Sequence, residues 1–117
     1  MTGAGGAAAA AFEELADEYE GRPGVSHGRI WHSDGLTVGG KIFAMVVRDE
    51  LVVKLPAARA TALVDAGGAT RFEPSPGRAM REWVSIPLPP RRRALWGELV
   101  AEAYAYVGGR RAPPTYA

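Results

Sequence analysis

The chain has no cysteine. That excludes a disulfide scaffold, a thiolate zinc site and a thiol nucleophile. Histidine is nearly as scarce, with only His27 and His32. On a strand, side chains five residues apart point to opposite faces, so the pair does not share a metal, and adding Asp34 makes no recognised ligand spacing. Serine is represented by Ser26, Ser33, Ser75 and Ser85 alone. None lies in a Gly-x-Ser-x-Gly elbow. Ser33, His32 and Asp34 are chain neighbours that face apart, which excludes them as a triad. The glycines join strands and lack the strand-to-helix setting of a phosphate loop. No catalytic residue, metal ligand or cofactor site is therefore expected, and the chain does not read as an enzyme.

Charge of one sign is also missing. The formal net charge is +1, so no global field draws the chain to nucleic acid or acidic lipid. Lysine is confined to Lys41 and Lys54, and the other basic residues are arginines. No apolar run approaches the roughly 18 residues of a membrane span, and the small, uncharged N-terminus lacks the pattern of a signal peptide. A cytoplasmic protein with no membrane partner is expected.

What is present is a normal globular composition: 117 residues, 47% of them hydrophobic. That length suits one domain with a single core. Residues 1–10 form a Gly/Ala tail, expected to be flexible. Residues 11–108 form the domain, and residues 109–117 a second tail. A first helix is expected over residues 8–20, with Phe12, Leu15, Ala16 and Tyr19 on one face and acids opposite. Residues 25–55 read as a strand-rich block. Ser33-Asp34-Gly35, Gly39-Gly40 and Asp49-Glu50 are expected to turn the chain, and such short connections require antiparallel pairing. The clearest strand covers residues 41–48, with Phe43, Met45 and Val47 on one face and Ile42, Ala44 and Val46 on the other. Both faces are apolar, so both need a cover: a helix, a loop or a second protomer.

A second helix is expected from Pro56 to about Ala66, with Leu63 and Val64 inward and Gly67-Gly68 as its stop. A proline loop leads to a short strand over residues 82–86. The last helix is expected over residues 91–107, with a stripe of Leu95, Leu99 and Tyr106 flanked by Trp96, Val100, Ala103 and Val107, and a stop at Gly108-Gly109. The fold class is α+β: an antiparallel meander plus one or two short strands, packed with three helices in the order α-β(3-4)-α-β(1-2)-α.

Three segments carry a family likeness: Gly40-Lys41-Ile42-Phe43-Ala44-Met45, Leu51-Val52-Val53-Lys54-Leu55-Pro56 and Gly77-Arg78-Ala79-Met80-Arg81-Glu82-Trp83-Val84. In this order and spacing the chain resembles the N-terminal domain of the TfoX/Sxy family, which is related in fold to the YjbR-like proteins. The resemblance implies helices packed on an antiparallel sheet and carries no catalytic residues across. Longer members regulate competence genes and hold a second domain, which is not expected within these 117 residues.

Two groups of residues stand out as contacts. Arg78, Arg81, Glu82 and Trp83, with Lys41 and Lys54 as further charges, could bind an anionic or aromatic ligand or a partner acid. The plainer alternative buries Trp83 and pairs Glu82 with one of these cations. Arg91, Arg92 and Arg93 open the last helix, where free backbone amides also attract anions. Together with Arg110 and Arg111 they could contact nucleic acid, or simply form a solvated helix start. The expected role is a non-enzymatic interaction domain, regulatory in kind, that meets a protein partner or a second copy of itself. Direct nucleic-acid binding is the alternative, and small-ligand binding near Arg78 and Trp83 a further one.

Overall fold

The computed structural model describes residues 3–30, 33–73, 77, 80–87 and 93–111. The elements run α1 (Gly3–Tyr19), β1 (Val25–Ile30), β2 (Ser33–Val38), β3 (Lys41–Val47), β4 (Glu50–Lys54), α2 (Ala57–Asp65), β5 (Thr70–Arg71), β6 (Trp83–Pro87) and α3 (Arg93–Arg111). This is the expected α+β class, with six strands in one antiparallel sheet. The spatial order is β1-β2-β3-β4-β6-β5. β5 comes first in the chain, yet β6 takes the place beside β4.

The turns follow from backbone chemistry. Gly39 and Gly40 both have positive φ, 61° and 84°, the two-residue geometry that matches the twist of paired strands. The next hairpin makes the same kind of turn without glycine: Arg48 and Asp49 have φ of 52° and 66°. It falls one residue earlier than the expected Asp49-Glu50, and Glu50 begins β4 opposite Val47. Ser33-Asp34-Gly35, expected as a turn, is the first half of β2. Each of the three pairs with β1, and Asp34 and Gly35 also pair with β3. The β1–β2 connection shrinks to residues 31 and 32, which lie outside the described residues.

The helices are longer than expected at both ends of the chain. α1 starts at Gly3, so most of the expected tail is helical. Alanine is the best helix former, and Ala8 and Ala11 are already buried in the core beside Phe12, Ala16 and Tyr19. α2 places Pro56 just outside its first turn rather than within it. Ala66 caps it, and Gly67 beyond, with a φ of 89° and its N–H on the Val64 carbonyl (3.0 Å), stops the helix as expected. α3 begins at Arg93 and runs through Gly108-Gly109 to Arg111. Its buried stripe is Trp96, Leu99, Val100, Ala103 and Val107, while Leu95 and Tyr106 are only half-buried. The residues expected to flank the stripe thus form its centre, with Leu95 and Tyr106 at its margins against the core. The Trp96 Nε1–H donates to the Pro87 carbonyl at 3.2 Å.

All three helices contribute to one core on one face of the sheet. The other face carries a smaller cluster of Met45, Val52 and Phe72, with Ile42, Val47 and Trp83 against it. A bulge decides which side Phe43 joins. Leu36 pairs with Ala44 and Thr37 with Ile42, so Phe43 is the extra residue. It turns toward the helices together with Ala44, and does not share a face with Met45 and Val47. The smaller cluster is covered from within the chain. Phe72 donates its N–H to the Trp83 carbonyl and accepts from Met80, while Arg48 reaches the Glu73 carbonyl and lies 5.9 Å over the Phe72 ring. Met45 and Val52 are buried without a second protomer.

Candidate contact site at one end of the sheet

Antiparallel pairing brings distant cations together. Lys41 opens β3, Lys54 closes β4, and Trp83 opens β6 directly opposite Lys54. All three therefore stand at the same end of the sheet. The Leu55 N–H donates to the Glu82 carbonyl at 2.8 Å and holds this end shut. Lys41, Ile42, Lys54, Trp83 and Val107 of α3 line a cleft of about 340 Å³ where sheet and helix layers meet. Lys41 is exposed, and Ile42, Lys54 and Trp83 are half-buried, so the cleft is an open trough.

The sequence-predicted set is partly assembled there. Lys54 Nζ lies 5.9 Å from the Trp83 ring and 3.9 Å from Glu82 Oε1. The expected pairing of Glu82 with a nearby cation thus falls on Lys54, which also lies over the indole. Each is a loose surface contact of about 0.5–1 kcal/mol at most. Trp83 is neither enclosed nor free: it packs against the smaller cluster and keeps one side on the cleft. Arg81 is exposed, and its carbonyl accepts from Arg71 Nη1 at 2.9 Å. Arg71, which sequence reasoning missed, also donates to Thr61 Oγ1 at 2.8 Å, tying the Arg81 turn to α2. Arg78, Arg91 and Arg92 lie outside the described residues.

Arg93 and the pair Arg110-Arg111 occupy opposite ends of α3. At 1.5 Å per residue those helix ends are about 26 Å apart along the axis. The C-terminal end belongs to the cleft side, since Val107 lines the trough and Gly108 lies against Val38, beside the turn that precedes Lys41.

A second polar group was not foreseen. His27 Nδ1 lies 2.6 Å from Glu20 Oε2, and Nε2 lies 2.7 Å from Asp34 Oδ1. The ring also sets an edge against Phe12, with centroids 6.2 Å apart. Burial alone would lower the pKa of this imidazole. The Glu20 and Asp34 hydrogen bonds and charges outweigh it and hold the pKa above the ordinary 6.5. On the far face of the sheet, Ser85 Oγ donates to Glu50 Oε1 at 2.5 Å. The serine and the histidine thus have separate carboxylate partners on separate faces. Among the described residues, no three His, Asp or Glu side chains converge to hold a metal ion. Among them, too, no helix is long and apolar enough to cross a membrane.

No curated protein and no solved structure matches the chain. A family model described as YjbR matches residues 20–106. The matched stretch runs from the end of α1 to the last turns of α3 and includes every strand and the whole cleft except Val107. On that span the chain belongs to the YjbR family.

Proposed function

We propose that the chain is a non-enzymatic interaction domain of the TfoX N-terminal kind, and that its contact surface is the trough formed by Lys41, Lys54 and Trp83. The observation that carries this reading is the convergence of both lysines and a half-buried indole at one end of the sheet. An open trough suits a macromolecular partner better than a small ligand, because small-ligand pockets usually enclose about 70–90% of the ligand surface. The partner it suits is anionic, with flat or apolar groups to lie on Trp83. The separate engagement of His27 and Ser85 supports a role without catalysis.

Nucleic acid is the partner class that the charge distribution favours. Twelve of the fourteen Lys and Arg residues lie from Lys41 onward, whereas six of the thirteen acids precede it. The near-neutral total therefore hides an acidic N-terminal third and a basic remainder. Phosphates on the lysines and a base on the indole would use the trough as single-strand binders use theirs. Regulation of transcription, the role implied by the TfoX resemblance, would follow from such a contact. The alternative is an acidic protein segment or a second copy of the chain.

The test is binding of a short single strand and a short duplex at about 50 and 200 mM salt. It is run on the wild type, Lys41→Ala and Lys54→Ala, with light scattering to record mass. Nucleic-acid binding predicts an affinity that falls steeply with salt and a salt slope reduced by about one per lysine removed. Binding that ignores both lysines removes the trough from the reading. A dimer that ignores nucleic acid moves it to the protein partner.

A further inference from the structure

His27 is set up differently from a histidine that merely fills space. Both ring nitrogens face carboxylates at 2.6 and 2.7 Å. A neutral imidazole carries one N–H and one lone pair. It can satisfy Glu20 or Asp34, but it turns a lone pair on the other. Only the imidazolium donates to both. The two carboxylates come from different parts of the fold: Glu20 follows the last residue of α1, and Asp34 sits on β2 across the hairpin from β1. Arg29, on β1 itself, is in register with Asp34. From α1, the Phe12 ring also packs against the imidazole, with centroids 6.2 Å apart.

We propose that His27 is a protonation-operated latch that fastens the end of α1 to the β1–β2 hairpin. Doubly protonated, it holds both carboxylates; on losing a proton to solvent it releases one of them. The segment it spans is short and turn-rich. Arg22 donates its N–H to the Tyr19 carbonyl, Val25 donates to Arg22, and Gly24 has a φ of 79°. Gly39 also donates its N–H to the Gly24 carbonyl at 2.9 Å, and a side-chain tie from Glu20 to the hairpin runs through the imidazole.

The sign follows from linkage. The folded pKa lies above the unfolded 6.5. The latch therefore contributes its full stability below pH 6.5 and loses it as the pH rises through the folded pKa. Each unit by which the folded pKa exceeds 6.5 multiplies the folded-to-unfolded ratio about tenfold on the acid side.

Titration of the two histidine rings by nitrogen-detected NMR tests the latch on the wild-type protein. His27 is expected to titrate above 6.5. Glu20→Gln and Asp34→Asn should each lower its pKa. Amide exchange over residues 20–25 should accelerate above that pKa by more than the intrinsic pH dependence. In urea, the wild-type midpoint should fall between about pH 6 and pH 8.5 by more than that of His27→Gln. A His27 pKa at or below 6.5, or one unchanged in both carboxamide variants, overturns the proposal. So does a titration that leaves exchange at residues 20–25 untouched. The NMR readouts do not depend on how well the His27→Gln variant folds.

Discussion

Phe72→Ala probes how the far face of the sheet is closed. Phe72 is 8% exposed and packs on Met45 and Val52, which are 3% and 0% exposed. Full truncation of a buried phenylalanine costs about 3–5 kcal/mol. Here the ring is the lid of a three-residue cluster and not the centre of the main core, so solvent can fill the vacated space. About 2–3 kcal/mol is expected, at or below the low end of that range. For a domain whose total stability is about 5–15 kcal/mol, the loss is large enough to measure. Urea unfolding should show a lower midpoint with an unchanged slope, because the surface exposed on unfolding hardly changes. Fluorescence gives an independent reading. Trp83 packs against this cluster, whereas Trp96 lies fully buried in the other core. The Trp83 share of the native emission should therefore shift red, and Trp83→Phe should abolish that share of the shift. A loss below about 1 kcal/mol would refute the reasoning: Met45 and Val52 would then owe their burial to something other than Phe72.

Two further outcomes are expected. Gly108→Ala and Gly109→Ala should each raise the thermal midpoint by the equivalent of about 0.5–1 kcal/mol, since alanine favours the helix. An added Cβ at Gly108 meets Val38 at an ordinary 3.8 Å, and at Gly109 it meets nothing within 4 Å. Destabilisation by Gly109→Ala would mean that α3 does not continue past Val107. The fork of Arg59 on Glu102, at 2.8 and 3.0 Å, joins α2 to α3. A double-mutant cycle should give a coupling of about 0.5–1 kcal/mol, small because both side chains are some 40% exposed. Zero coupling would reduce the pair to two neighbouring surface charges that do not stabilise the fold.

The class of fold was legible because it rests on local chemistry. Phe12, Ala16 and Tyr19 recur at helical spacing, and Gly39-Gly40 can hardly be anything but a tight hairpin turn. The misreadings share a cause: tertiary context outweighed a local signal. Ser33-Asp34-Gly35 has the composition of a turn, but pairing with β1 and β3 satisfies its backbone in an extended form. Gly108-Gly109 looks like a helix stop, yet packing against β2 carries the helix on. Phe43 changes faces because of one extra residue in register, which no period-two pattern displays. The site was legible in its members and not in its geometry. Lys41, Lys54, Glu82 and Trp83 could be named, but the pairing of Lys54 with Trp83 is a fact about strand order. The His27 clamp was invisible for the same reason: its partners lie seven residues away on either side, a spacing with meaning only after the hairpin is drawn.

The placement of β6 inside the sheet has a consequence for how the trough comes to exist. The β1–β4 meander can form from neighbours in the chain, each hairpin closing a loop of a few residues. β6 can enter only after the chain has travelled through α2 and β5 and come back, 29 residues from Lys54 to its partner Trp83. Contacts of that separation are late and slow to form relative to local ones. On that tendency the two lysines are expected to be in place before the indole. An incompletely folded chain would present bare cationic strand ends without the aromatic surface that completes them. Recognition through this trough would then report on the finished domain, and a destabilising change anywhere along α2 or β5 would weaken binding without touching a single contact residue.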